Sequence, residues 1–195
     1  MKNSDKQTAY YHLPGLFEFY ELYVRFLKVF REHREYFYDW CEIGSIYGAP
    51  ADCLWGGGRA GFGEHYPDEV LELMEEYGIS ARLTFSNSLL KNEHLSDKKC
   101  NGLCALFEKR ETIKNGVIIH SDILLNYLKN KYPGLYFVSS TTKVLTDFNE
   151  FLEEFISKSQ EHLYIDGIVS CPYTEKNVIK HILILVPKNE LINTI

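Results

Sequence analysis

Residues 116–142 read GVIIHSDILLNYLKNKYPGLYFVSSTT, and this stretch decides the fold class. Val117 to Ile119 is a continuous β-branched run, the mark of a strand that is apolar on both faces. Ser121 or Asp122 then caps a helix, ILLNYLKNKY, which stops at Pro133-Gly134. Leu135 to Val138 is the next buried strand. A strand, a helix and a strand joined by turns this short make a parallel crossover unit.

The same alternation extends in both directions. Upstream, Ala81 to Phe85 reads as a strand, and Ser96-Asp97 opens a helix through Leu103, Leu106 and Phe107. Asn115-Gly116 reads as a turn. Before these, Pro67 sits in the first turn of a helix, PDEVLELMEEYG, with Asp68 and Glu69 at its positive end and Gly78 as its C-cap. Downstream, Asp147 begins a helix with Phe148, Phe151, Leu152 and Phe155 as its apolar face. Leu163 to Val169 and Ile182 to Val186 read as two further strands. Right-handed crossovers leave two closures for such a chain: a TIM-type (β/α) barrel, or an open doubly wound parallel sheet.

Near the N-terminus, residues 1–14 read as a loose lead-in. Leu16, Phe19, Tyr20, Tyr23, Phe26, Leu27 and Phe30 then recur at helical spacing, predicting an amphipathic N-terminal helix from Leu16 to Arg34. Packing on the domain core accounts for its aromatic face more simply than a partner does. The chain of 195 residues suits a single α/β domain, with residues 163–195 as a divergent tail.

Composition narrows the partners. A net charge of −6 gives no reason to expect nucleic acid or an anionic membrane as a bulk partner. No apolar run reaches the roughly 18–20 residues that span a bilayer, and the polar N-terminus lacks a signal-peptide core, so the expected location is the cytoplasm. The five cysteines, Cys41, Cys53, Cys100, Cys104 and Cys171, are odd in number and argue against a disulfide framework. Cys100 and Cys104 share a helix face without further ligands at metal spacing, so they read as small buried residues, and no metal or other cofactor is expected in this chain.

The stretch CEIGSIYGAPADCLWGGGRAGFGE, from Cys41 to Glu64, starts like a buried strand at Ile43 and Ile46 and then loses periodicity. Seven glycines beside Glu42, Asp52, Trp55 and Arg59 predict a shaped loop. Gly57, Gly58 and Arg59 suit an amide nest with an arginine fork for a phosphate or carboxylate. Gly56, Gly58 and Gly61 match the dinucleotide spacing, but no helix opens within the motif, so it is not read as a Rossmann site. Active sites of parallel α/β folds gather at the carboxyl ends of the strands. Those ends are polar throughout: Tyr47 and Gly48, then Ser86, Asn87 and Ser88, then His120, Ser121 and Asp122, then Ser139, Ser140, Thr141, Thr142 and Lys143. Helix caps demand the same residue types.

His120 and Glu42 are the candidate catalytic groups; the imidazole titrates near neutrality, though a histidine that only bonds locally fits equally well. Arg59, Gly57, Gly58, Asn87, Ser121, Ser140, Thr141, Thr142 and Lys143 are the candidate contacts to a small polar or anionic ligand. Neither a P-loop nor a Gly-x-Ser-x-Gly elbow is present.

The strings IYGAPADCLWGGGRAGFGE, LTFSNSLL and GVIIHSDILLNYLKNKYPGLYFVSSTTKVLTD, in that order over residues 40–147, resemble the collagenase-like peptidase family. The resemblance implies a TIM-type barrel with its site at the strand ends. It implies either a peptidase-like hydrolase or a relative of the family's iron–sulfur proteins, which are implicated in hydroxylating RNA or quinone precursors. A complete barrel runs to about 250 residues, and the cysteine cluster that holds the iron–sulfur centre in full-length relatives has no counterpart beyond Cys171. The chain therefore reads as an incomplete barrel, truncated after about four βα units. It is either a ligand-binding protein or a non-catalytic remnant that serves as an interaction module. Its open sheet edges predict a homo-oligomer.

Overall fold

The computed structural model describes residues 8–57, 66–110, 112–150, 153–154 and 163–165. Its elements alternate as the sequence predicts. They are β1 (Ala9–Pro14), α1 (Tyr20–Glu32), β2 (Cys41–Gly48), α2 (Pro67–Tyr77), β3 (Ser80–Phe85), α3 (Lys98–Glu108), β4 (Gly116–Ile119), α4 (Asp122–Lys131), β5 (Tyr136–Ser139) and β6 (Leu163–Ile165). Residues 166–195 lie outside the described residues, and with them the rest of the expected strand Leu163 to Val169 and the expected strand at Ile182 to Val186.

The six described strands are all parallel and pair in chain order, β1-β2-β3-β4-β5-β6, in a curled half-barrel sheet. A doubly wound sheet reverses its strand order at a switch point. The described strands contain no such reversal. Sequential order with right-handed crossovers puts every helix on the same face.

The strand registers separate the two faces. Ile46 pairs with Ala81, Leu83 with Val117, Phe85 with Ile119, and Val117 with Phe137. These residues form one apolar core with Leu27 of α1, Val70, Leu71 and Met74 of α2, Leu103 and Phe107 of α3, and Leu124 and Leu128 of α4. The alternate positions line the opposite face. There His12 pairs with Ser45, Ser45 with Ser80, Tyr47 with Arg82, Arg82 with Gly116, and Gly116 with Tyr136.

Two expectations change at the N-terminus. Residues 9–14 form β1 rather than a loose lead-in, and α1 therefore follows a strand as the first crossover helix instead of opening the chain. It is also shorter than Leu16 to Arg34. Leu16 and Phe17 are buried in the turn before it, while within it Tyr23 and Leu27 are the buried residues. Phe26 and Phe30 pack on Phe37, which follows the helix, with ring centroids 6.3 and 4.8 Å apart.

The predicted caps hold elsewhere. Gly78 ends α2 in the left-handed region at φ +69°, and Ile79 N–H closes the cap on the Met74 carbonyl. Asp97 caps α3 by accepting from Cys100 N–H, and Ser121, rather than Asp122, caps α4. Asp147 accepts from the amides of Asn149 and Glu150 and so opens helical residues 148–150. Phe151, Leu152 and Phe155 lie outside the residues whose side chains are described. No helix among the described residues is long and apolar enough to cross a membrane.

Candidate functional site

The carboxyl ends of β4 and β5 bring a hydrogen-bonded series of side chains together. The sheet ladder continues past both strands, because His120 N–H donates to the Phe85 carbonyl and Ser140 N–H to the Ile119 carbonyl. His120 Nδ1 lies 2.9 Å from Thr142 Oγ1, which lies 2.8 Å from Ser140 Oγ. Ser140 caps the short 3-10 turn Thr141–Lys143, accepting from Thr142 N–H. That cap places the Thr142 hydroxyl over the adjacent strand. The turn ends at Val144, whose φ of 49° is left-handed. A β-branched residue there is strained, and such strain clusters at sites where structure over-determines the backbone.

The surroundings favour the neutral form of the imidazole. Burial, then the Lys143 ammonium, hold His120 below the ordinary histidine range, with Asp122 partly opposing them. A neutral ring can accept a proton or a hydrogen bond near pH 7. Lys143 itself is engaged behind the rim. Its ammonium donates to Glu154 at 2.7 Å and to Asp122 at 3.1 Å, and Glu154 also accepts from Ser139 Oγ at 2.8 Å. This clasp ties the segment after β5 to the first turn of α4. Ser121 is spent mainly on its cap, accepting from Leu124 N–H, and Thr141 is exposed at the lip of the turn.

The end of β3 carries the glycine loop. Asn87 donates through Nδ2 to the Leu54 carbonyl and through its backbone amide to the Trp55 carbonyl, and its Oδ1 accepts from Leu89 N–H. Ser86 Oγ donates to the Gly56 carbonyl. Gly57 takes φ +83°, a left-handed conformation that favours glycine, while a Cβ there would meet the Asn87 backbone at an ordinary contact distance of 3.4 Å. Gly58 and Arg59 lie outside the described residues, and with them the expected amide nest.

Glu42 does not join this site. It is the second residue of β2, near the amino end, and its carboxylate meets Arg34 at 3.1 Å. Arg34 in turn lies over the Phe30 ring, 4.3 Å from its centroid. The strand-end rule favours carboxyl ends, and Glu42 opens its strand rather than closing it.

Below the rim, the face away from the helices carries a polar set that the sequence reading passed over. His12 Nδ1 bonds Ser45 Oγ at 2.8 Å. Arg82 Nε donates to Tyr136 OH at 2.5 Å, and the same hydroxyl meets Ser80 Oγ at 2.7 Å. Burial, then the Arg82 guanidinium, push His12 down to about 4. Thr84, one position above Arg82 on this face, buries its hydroxyl with no hydrogen-bond partner among the described residues. The signal was present in the sequence: Arg82 and Thr84 alternate with Ala81, Leu83 and Phe85, which marks one polar face.

No protein-family model, no curated protein and no solved structure matches the chain.

Proposed function

We propose that the chain is a ligand-binding protein built as an incomplete TIM-type barrel, akin to the collagenase-like peptidases, with a site for a small polar or anionic ligand at the carboxyl ends of β3, β4 and β5. One observation carries this reading: an imidazole and two hydroxyls from two neighbouring strand ends, His120, Thr142 and Ser140, share one hydrogen-bonded series. Strand-end convergence is where parallel α/β proteins bind their ligands. The strained Val144 beside the series supports the same reading. The test is a titration of the full chain with phosphate, acetate and a glycine dipeptide, followed by the NMR shifts of the His120 ring. Saturable shifts are expected for at least one probe and are lost in Thr142→Val. Linear, unsaturated shifts for all three would overturn the reading.

A second reading, an interaction module, draws on α1. Its outward side leaves Leu22 and Val29 exposed, and Phe19 is exposed at the position just before it. Exposed apolar residues grouped on one element mark contact surfaces. Under this reading Leu22→Lys abolishes partner binding while leaving the His120 titration unchanged.

A further inference from the structure

Three cysteines lie beneath the root of the glycine loop. Cys53 precedes the 3-10 turn Leu54–Gly56, Cys100 sits in the first turn of α3, and Cys104 lies one turn further on. All three are buried free thiols. The Sγ atoms of Cys53 and Cys100 are 3.1 Å apart, in a thiol–thiol hydrogen bond that joins loop to helix. The preceding residues are joined as well, because the Lys99 ammonium pairs with Asp52. Two successive residues of the loop therefore face two successive residues of α3.

The two sulfurs are not equivalent. The Cys100 thiol, then the backbone amides of Gly56 and Trp55, hold Cys53 below the ordinary thiol range, against the opposing effect of burial. Cys100 is pushed up, first by its contact with Cys53 and then by burial. Burial also pushes Cys104 up. The thiolate is the nucleophile of thiol chemistry, and Cys53 sits at the loop root, where local opening exposes it while Cys100 stays held in α3, so Cys53 is the attacking sulfur and Cys100 the resolving one.

We propose that Cys53 and Cys100 form a reversible disulfide, with hydrogen peroxide as the oxidant, Cys53 attacking and Cys100 resolving. The Cys53 thiolate attacks one peroxide oxygen; an S–O bond forms, the O–O bond breaks, and the departing hydroxide takes up a proton as water. The Cys100 sulfur then attacks Cys53 Sγ, its proton leaving with the hydroxyl of the sulfenic acid as a second water. Two thiols and one peroxide become one disulfide and two waters, with two electrons passing from sulfur to oxygen. An external dithiol restores both thiols by exchange. Peroxide is small enough to reach sulfurs that open only locally, where bulkier disulfides are excluded.

The consequence reaches the end of β3. The tied segment supplies the carbonyls of Leu54, Trp55 and Gly56 that hold Asn87 and Ser86. Oxidation fixes this root covalently to α3, whether or not the rim binds a ligand.

The experiment treats the reduced full chain with peroxide, alkylates it under denaturing conditions and maps peptides without reduction. The expected result is a Cys53–Cys100 linked peptide, a fall from five free thiols to three, and full recovery with dithiothreitol. In Cys100→Ser, Cys53 stops at the sulfenic acid and is trapped by dimedone. Amide exchange at residues 54–57 slows in the oxidised wild type. Five thiols remaining, or a link between any other pair, would overturn the inference. So would irreversible oxidation of Cys53 without a link. The wild-type map alone decides the pairing, so a variant that fails to fold does not leave it open.

Discussion

At the scale of single residues, the histidines show how environment sets a charge state. His12 sits among strand side chains and bonds Ser45, and its folded value lies at about 4, well below the ordinary histidine value of 6.5. Between those values the unfolded chain binds a proton that the folded chain refuses. Stability therefore rises with pH across that window and is lost as pH falls from 6.5 towards 4. His120 is lowered too and adds to the same trend with the same sign. Unscreened, a shift of this size for His12 would be worth about 3 kcal/mol. Its ring is only half-buried, so solvent screening reduces the expected effect to about 1–2 kcal/mol. Urea unfolding midpoints at pH 7 and pH 4.5 should drop accordingly, and His12→Gln should flatten most of the drop. An unchanged midpoint across that range would mean that both rings charge freely in the fold.

At the scale of elements, Asn115 joins three of them. Its Oδ1 accepts from Ala81 N–H at the start of β3, its Nδ2 donates to the Phe107 carbonyl in α3, and its backbone carbonyl accepts from Tyr136 N–H at the start of β5. The side chain is buried, so Asn115→Ala strands one donor and one acceptor away from water. Each such group costs about 1–3 kcal/mol, which predicts a loss of about 2–6 kcal/mol. The denaturation midpoint should fall with an unchanged slope, since the folded core stays the same size. The sequence reading took Asn115-Gly116 for a turn. Composition marks the break, but the long-range bonds of an amide are not written in its neighbours. The crossover helices were legible because buried residues repeat at helical spacing between sharp punctuation, as in α2 between Pro67 and Gly78. β1 was not, because YYHLP puts exposed Tyr10 and Tyr11 beside a buried-face histidine and ends on proline. An edge strand needs less apolar sequence than a central one. The rim was legible through the strand-end rule, which gathered His120, Ser140 and Thr142. The same rule could not place Glu42, whose position depends on where β2 begins.

At the scale of the whole chain, the open question is the edge of the sheet. β1 pairs with β2 on one side, and the described strands offer it no partner on the other. A lone edge presents unpaired amides and carbonyls to another chain. The register shift between Tyr11 and His12 bends this edge, a device that discourages pairing. Against it stands the apolar surface nearby. Tyr10 and Tyr11 are exposed on β1, and Ala9 N–H bonds the Trp40 carbonyl, which brings the Tyr38–Trp40 stack beside the strand's start. Four exposed aromatic rings at one edge outweigh a single bulge, because the bulge disrupts one backbone pair whereas the rings bury area along the whole contact. We therefore expect a homodimer through this edge. Size-exclusion chromatography with light scattering should give twice the chain mass, and Tyr11→Lys should shift the species to monomer by placing a charge on the edge. A wild-type monomer with a sharp cooperative melt would overturn this expectation and show that the chain covers β1 by itself.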